Sequence, residues 1–243
     1  MPFRDLLESE TDTYFAHKYE IVEGKAVPDV PDLEYGPKGR ELDLAMLFID
    51  IRESTTIVDG FRRTTAARMY KAFLNGVALI ARKNNGELRS FNGDGVLMAF
   101  IGDSKRTNAA KAALQMSWFC TTVLRPKLQT YFEKNNQLSD LVFDWGIGID
   151  VGKVLVVRGG IRGANNNDLV WVGNPTNYAV KLSGLGKGTA YHIYISDDVY
   201  KNMDKGSRIG GEPPRDMWEQ RQWTDMENMT IYRSNWTWTP SGD

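Results

Sequence analysis

The stretch Leu44-Ala45-Met46-Leu47-Phe48-Ile49-Asp50-Ile51-Arg52 decides the fold, together with Ser90-Phe91-Asn92-Gly93-Asp94-Gly95-Val96-Leu97-Met98-Ala99-Phe100 downstream. The first is an apolar run that ends abruptly in a carboxylate, as a buried strand does at its exit. The second is two short apolar runs around Asn-Gly-Asp-Gly, a strong short-range hairpin signal. Pairing these segments in one sheet brings the strand-end Asp50 and the turn-tip Asp94 to a common edge. Two carboxylates so placed repel each other unless a cation intervenes. Mg²⁺ and Mn²⁺ prefer such oxygen ligands and also take phosphate oxygens. Two such ions side by side suit phosphoryl or nucleotidyl transfer.

Working outward, a buried strand is expected over 42–50. Tyr70, Phe73, Leu74, Val77, Ile80 and Ala81 fall on one helical face. The hairpin strands are expected over 87–91 and 96–101. A second helical pattern covers 105–134 through Ala109, Ala113, Met116, Cys120 and Val123, and Pro126 is expected to kink or split it. Leu141, Phe143, Trp145, Ile147 and Ile149 alternate as a half-buried strand, after which Val151-Gly152-Lys153 is read as a turn into a strand over 154–157. Residues 158–168 read as loop and 169–172 as a short strand. Asn174-Pro175 opens a helix, with Asn177 and Lys181 on one face at i and i+4. A last strand is expected at Met229–Ser234.

The order β-α-β-β-α-β predicts an α+β, ferredoxin-like sandwich rather than a doubly wound Rossmann sheet. Residues 1–40 read as an N-terminal extension. Residues 41–243 read as one catalytic domain whose tail carries Trp218, Trp223, Trp236 and Trp238.

Composition narrows the function. With 243 residues, 42% of them hydrophobic, the chain can bury a core of ordinary size. Thirty basic against 31 acidic side chains give a net charge of -1, so no bulk field favours nucleic acid or a membrane surface. No apolar run spans a bilayer, and Met1-Pro2-Phe3-Arg4-Asp5 does not begin a signal peptide. The single Cys120 permits no internal disulfide and fits a reducing cytoplasm; with Met116 and Val123 it faces the core. His17 and His192 alone make a histidine zinc site or a nucleophile–histidine pair improbable. Gly184-Leu185-Gly186-Lys187-Gly188-Thr189 lacks the spacing of a phosphate-binding loop and follows a helix, so it reads as a helix C-cap and turn.

Four motifs in this order resemble the class III nucleotidyl cyclases. Asp50-Ile51-Arg52-Glu53-Ser54-Thr55 stands where the family has Asp-Ile-Arg-Gly-Phe-Thr. Gly93-Asp94-Gly95 matches its hairpin, Gly148-Ile149-Asp150-Val151-Gly152 its Gly-Ile-x-x-Gly strand, and Asn177 with Lys181 its Asn/Arg helix. The resemblance covers roughly residues 42–200. It departs where Glu53-Ser54 replaces Gly-Phe and where Lys181 replaces Arg, which keeps the charge and loses the bidentate fork. Ser90 and Val170 match neither the adenine nor the guanine pocket of the family. Arg89-Ser90 instead resembles the mark of the bacterial anti-phage pyrimidine (Pycsar) cyclases.

The resemblance implies a head-to-tail homodimer with shared interface sites. Asp50, Asp94 and the Ile51 carbonyl of one subunit would hold two Mn²⁺ or Mg²⁺ ions. Ser54 and Thr55 would receive the triphosphate, and Arg89 and Ser90 the base. Asn177 of the other subunit would position the ribose, and Lys181 would offset charge on the reacting phosphorus. The expected substrate is UTP, because uracil offers two carbonyl acceptors to a donor-only Arg and cytosine one. CTP, ATP in an unusual pocket, and an inactive nucleotide-binding regulator are the alternatives. The product would act in phage defence through a separate cyclic-nucleotide-responsive effector.

Overall fold

The structure, a computed structural model, describes residues 2–135, 141–161 and 166–241. Along the chain run α1 (Phe3–Phe15), β1 (Glu20–Glu23), β2 (Lys38–Ile51), α2 (Ser54–Gly60), α3 (Arg63–Lys83), β3 (Gly86–Asn92) and β4 (Gly95–Phe100). Helices α4 (Lys105–Trp118) and α5 (Arg125–Lys134) follow, separated by a π-helical turn over Phe119–Leu124. Next come β5 (Trp145–Gly160), β6 (Asn167–Val172), α6 (Asn174–Ser183), β7 (Ile193–Ser196), α7 (Asp197–Asn202) and α8 (Lys205–Arg208). The chain ends with β8 (Ile209–Gly210), β9 (Arg215–Asp216), β10 (Glu219–Trp223) and β11 (Met229–Ser234).

These elements form two compact units, and β2 and β5 lend a part to each. Residues 1–43 belong with 152–174, and residues 44–151 with 175–243. In the first unit β1 pairs in parallel with the start of β2, and β6 pairs antiparallel with the end of β5. Arg158 lies over the Tyr35 ring at 4.4 Å and donates to the Leu33 carbonyl at 3.2 Å.

In the second unit the strand order is β10-β11-β7-β5-β2-β4-β3. Within it, β5-β2-β4-β3 is the fourth, first, third and second strand of the expected βαββαβ unit. The fold is thus the α+β sandwich that the motif order predicts, extended by β7, β11 and β10. Alternation along β2 sends Ala45, Leu47, Ile49 and Ile51 into the main core with α3 and α4. Leu44, Met46 and Phe48 are buried on the opposite face, which is why the run reads as continuously apolar. Helix α3 buries Ala66, Met69, Phe73, Val77 and Ala81 at helical spacing.

Several local expectations are corrected. The break foreseen at Pro126 is made by the π-helical turn just before it, since proline supplies no N–H to continue the α-helical ladder. The strand expected from Leu141 begins only at Trp145, where the Asp144 carboxylate accepts the Trp145 N–H at 2.9 Å. Phe143 instead packs against Phe73, with ring centroids 5.6 Å apart. No turn occurs at Gly152: β5 runs on to Gly160, because its second half pairs with β6 from Leu155↔Val172 to Gly160↔Asn167. Part of the loop expected over 158–168 is therefore strand, and its residues 162–165 lie outside the described residues. Cys120 is buried in the core as expected. The tail is built in too: Trp218 and Trp223 are buried, Trp236 and Trp238 pack on the core, and the Trp238 N–H donates to the Leu114 carbonyl at 3.1 Å.

Candidate active site

Strand β2 carries Asp50 to the sheet edge beside the β3–β4 turn. Ile49 pairs with Val96 there, which brings Asp50 against Gly95 and Asp94. A methyl group on Gly95 would stand 2.4 Å from the Phe48 ring and 3.0 Å from Asp50 Oδ1, so only glycine lets the hairpin close on the carboxylate. The register sets the Asp50 and Asp94 carboxylates side by side at the hairpin mouth. Burial, then the charge of Asp94, pushes the Asp50 carboxyl up to about 6.

Two carboxylates forced together, one of them holding a proton well above the ordinary range, fit a divalent cation. Among the described residues no group of three or more His, Cys, Asp or Glu side chains could enclose an ion. A cation at this pair would complete its shell with backbone carbonyl, water and substrate oxygens, as Mg²⁺ and Mn²⁺ readily do. The proton linkage has a definite sign. Between about pH 4 and about 6 native Asp50 keeps a proton that the unfolded chain releases, so metal-free protein loses stability as pH rises through that window. Asp50→Asn removes the loss. In chelator-treated protein at pH 7.5 it is expected to be more stable than the parent, by about 1 kcal/mol after solvent screening, and so to melt at a higher temperature. Equal melting of the two proteins would contradict the strain.

Next along the chain, Arg52 turns inward. Its Nη1 donates to Asp144 Oδ2 at 3.3 Å and to the Gly186 carbonyl at 3.2 Å, and its Nη2 donates to the Leu185 carbonyl. His192 Nδ1 lies 3.1 Å from Asp144 Oδ1. Burial would raise Asp144, yet the His192 hydrogen bond and the Arg52 charge hold it below the usual carboxylate range. Arg52 therefore fastens the strand end that bears Asp50 to the loop after α6. Sequence reasoning missed this role; the Arg lay within a motif, but its carbonyl partners left no signal. Glu53, where the resemblance expects glycine, adopts φ 55°, ψ 34° at the start of α2, the left-handed turn that glycine favours. Ser54 and Thr55 open α2, and the Ser54 carbonyl accepts from the Tyr70 hydroxyl at 3.3 Å.

Helix α6 is seated by glycines. A methyl on Gly148 would lie 1.9 Å from the Ala179 carbonyl oxygen, and one on Gly146 would lie 1.9 Å from that of Ser183. The helix thereby buries Pro175, Ala179, Leu182 and Ser183 and turns Asn177 and Lys181 outward. Lys181 Nζ lies 3.7 Å from Met226 Sδ. Trp145, Ile147 and Ile149 enter the main core, so Gly146 and Gly148 mark the opposite face of β5, and α6 lies there.

Strand β3 reaches the same face by an irregularity. Leu88 pairs with Met98 and Ser90 with Leu97, so one extra residue, Arg89, is inserted as a β-bulge. Met98 points into the main core, and Leu97, which pairs with Phe48, points away from it. Leu88 and Ser90, two residues apart, consequently face opposite sides. The bulge is what turns Ser90 to the face that carries Asp50 and α6. The structure thus brings Asp50 and Asp94 side by side, with Ser54 and Thr55 just downstream. Asn177 and Lys181 stand exposed on α6 and Ser90 on the shared sheet face.

No protein-family model matches the chain. It is 36% identical to a uridylate cyclase of Xanthomonas perforans, over 98% of this chain and 99% of that one. It is 34% identical to a uridylate cyclase of Burkholderia cepacia, over 98% and 100%. Among solved structures, the adenylyl cyclase CyaB from P. aeruginosa superimposes with a TM-score of 0.62 at 21% identity, over 84% of this chain and 99% of that one. The guanylate cyclase domain of RhGC from Catenaria anguillulae, in complex with GTP, does so with a TM-score of 0.60 at 16% identity, over 82% and 99%.

Proposed function

The chain belongs to the uridylate cyclase family, of class III nucleotidyl cyclase fold, and from that premise we propose that it converts UTP to 3′,5′-cyclic UMP and pyrophosphate. The juxtaposition of Asp50 and Asp94 carries the chemistry of this reading. These carboxylates, with the Ile51 carbonyl, would hold two Mg²⁺ or Mn²⁺ ions. Bound there, the ions would supply acidity to the ribose 3′-hydroxyl and charge compensation to the departing pyrophosphate. The backbone around Ser54 and Thr55 receives the triphosphate, and Arg89 and Ser90 read the base.

The exposure of Asn177 and Lys181 on α6 supports a site completed by a second copy of the chain. Asn177 of the partner subunit orients the ribose. The partner subunit's Lys181 places a positive charge where negative charge builds on the reacting phosphorus. No described helix is long and apolar enough to cross a membrane. The proposed setting is the cytoplasm, with cyclic UMP acting on a separate cyclic-nucleotide-responsive effector in phage defence.

Incubating the purified protein with Mn²⁺ and each of ATP, GTP, CTP and UTP tests the substrate. Cyclic UMP as the dominant product is expected, and dominance of another cyclic nucleotide would overturn the base assignment. Lys181→Ala is expected to lower kcat about 100-fold. Mixing it with Asp94→Ala tests the shared site. Random pairing makes half of the dimers mixed, each with one intact site, so about a quarter of parental activity returns. No recovery on mixing would contradict a site shared between subunits.

A further inference from the structure

Arg89 is held by a neighbouring carboxylate. Arg89 Nη2 and Glu87 Oε2 are 2.9 Å apart, and the Arg89 side chain is only 13% exposed against 45% for Glu87. Glu87 pairs with Ala99, and the alternation from Met98 places both on the face shared by Leu97 and Ser90. The ion pair therefore draws the guanidinium of the bulged residue to the side of the sheet that Ser90 and Asp50 occupy. A bulge alone would leave this long side chain many rotamers. The carboxylate favours those that keep the 2.9 Å contact.

We propose that Glu87 is a positioning residue for base selection: it fixes the Arg89 guanidinium at the uracil edge that carries the 4-carbonyl. This rests on the reading of Arg89 as the base-reading residue. The chemistry asks for such a constraint. Uracil and cytosine both present a carbonyl at position 2, but only uracil presents one at position 4, where cytosine carries an amino donor. An Arg has donors alone and cannot accept from that amino group. Held at the 4-position, it takes UTP and opposes CTP; left loose, it swings to the 2-carbonyl that both bases share. Selectivity then depends on the tether as much as on the Arg, because a site built to hydrogen-bond one group rejects the analogue lacking it only when it cannot rearrange.

The test compares KM for UTP, kcat, and the inhibition constant of CTP against UTP turnover, in the full-length enzyme. Glu87→Ala is expected to raise KM for UTP about threefold, lower the inhibition constant of CTP about threefold and leave kcat within about twofold, so that the preference collapses about tenfold. Glu87→Asp is expected to restore most of it. Glu87 lies half out of solvent contact on the edge strand, and unchanged circular dichroism checks that Glu87→Ala folds. Arg89→Ala separates the two layers of the argument. If it raises KM for UTP at least tenfold while Glu87→Ala changes nothing, Arg89 reads the base without the tether, and the proposal is overturned. If Arg89→Ala also leaves the preference intact, the base reading itself fails and the proposal falls with it. A loss confined to kcat in Glu87→Ala would likewise overturn it.

Discussion

Asp94→Ala is expected to reduce cyclic UMP formation at least about 1,000-fold at saturating UTP and Mn²⁺, equivalent to about 4 kcal/mol of transition-state stabilisation. Half of the carboxylate pair disappears, and Asp50 alone is a poor anchor for ions that must also grip a triphosphate. Folding should survive, because Asp94 sits at a hairpin tip and its removal relieves the charge that pushes Asp50 up. Titration calorimetry with Mn²⁺ supplies the second readout: the parent binds, and the variant does not. Activity within tenfold of the parent would place the metal elsewhere and sink the assignment of both aspartates.

Gly148→Val has the largest expected effect on stability. Its first added carbon alone would lie 1.9 Å from the Ala179 carbonyl oxygen and 2.6 Å from the Ser183 nitrogen, backbone atoms that no rotamer change can move. Helix α6 must lift from β5 or the strand must bend, a cost of about 3 kcal/mol by the usual scale of overpacking. In a chain of this length that lowers the melting temperature by about 6–12 °C. Thermal unfolding followed by circular dichroism measures it. A shift under about 2 °C would show that the helix is not seated on the glycines. Because α6 bears Asn177 and Lys181, any surviving fraction should also turn over slowly.

Much of this site was legible in the chain. The Asn-Gly-Asp-Gly turn and the apolar run into Asp50 are local signals, and their pairing follows once both lie in one sheet. The capped start of α6 and the spacing of Asn177 and Lys181 are equally local. The bulge was not legible: Leu88 and Ser90 share a parity in sequence and stand on opposite faces, and only the register with Met98 and Leu97 reveals it. Gly152 misled because glycine punctuates turns, while here β6 pairs with the strand beyond it. The hold of Arg52 on Leu185 and Gly186 rests on carbonyl groups, which every residue has and no sequence marks.

Among the described residues strand β3 ends the sheet, so its outer N–H and C=O groups face no further described strand. Such a border is where proteins recruit one another into fibrils. The insertion at Arg89 breaks the even spacing that an incoming strand needs, and the charges of Glu87 and Arg89 would enter any such junction. The same irregularity that turns Ser90 to the face of Asp50 thus guards the molecule against edge-to-edge aggregation. Straightening it would endanger solubility.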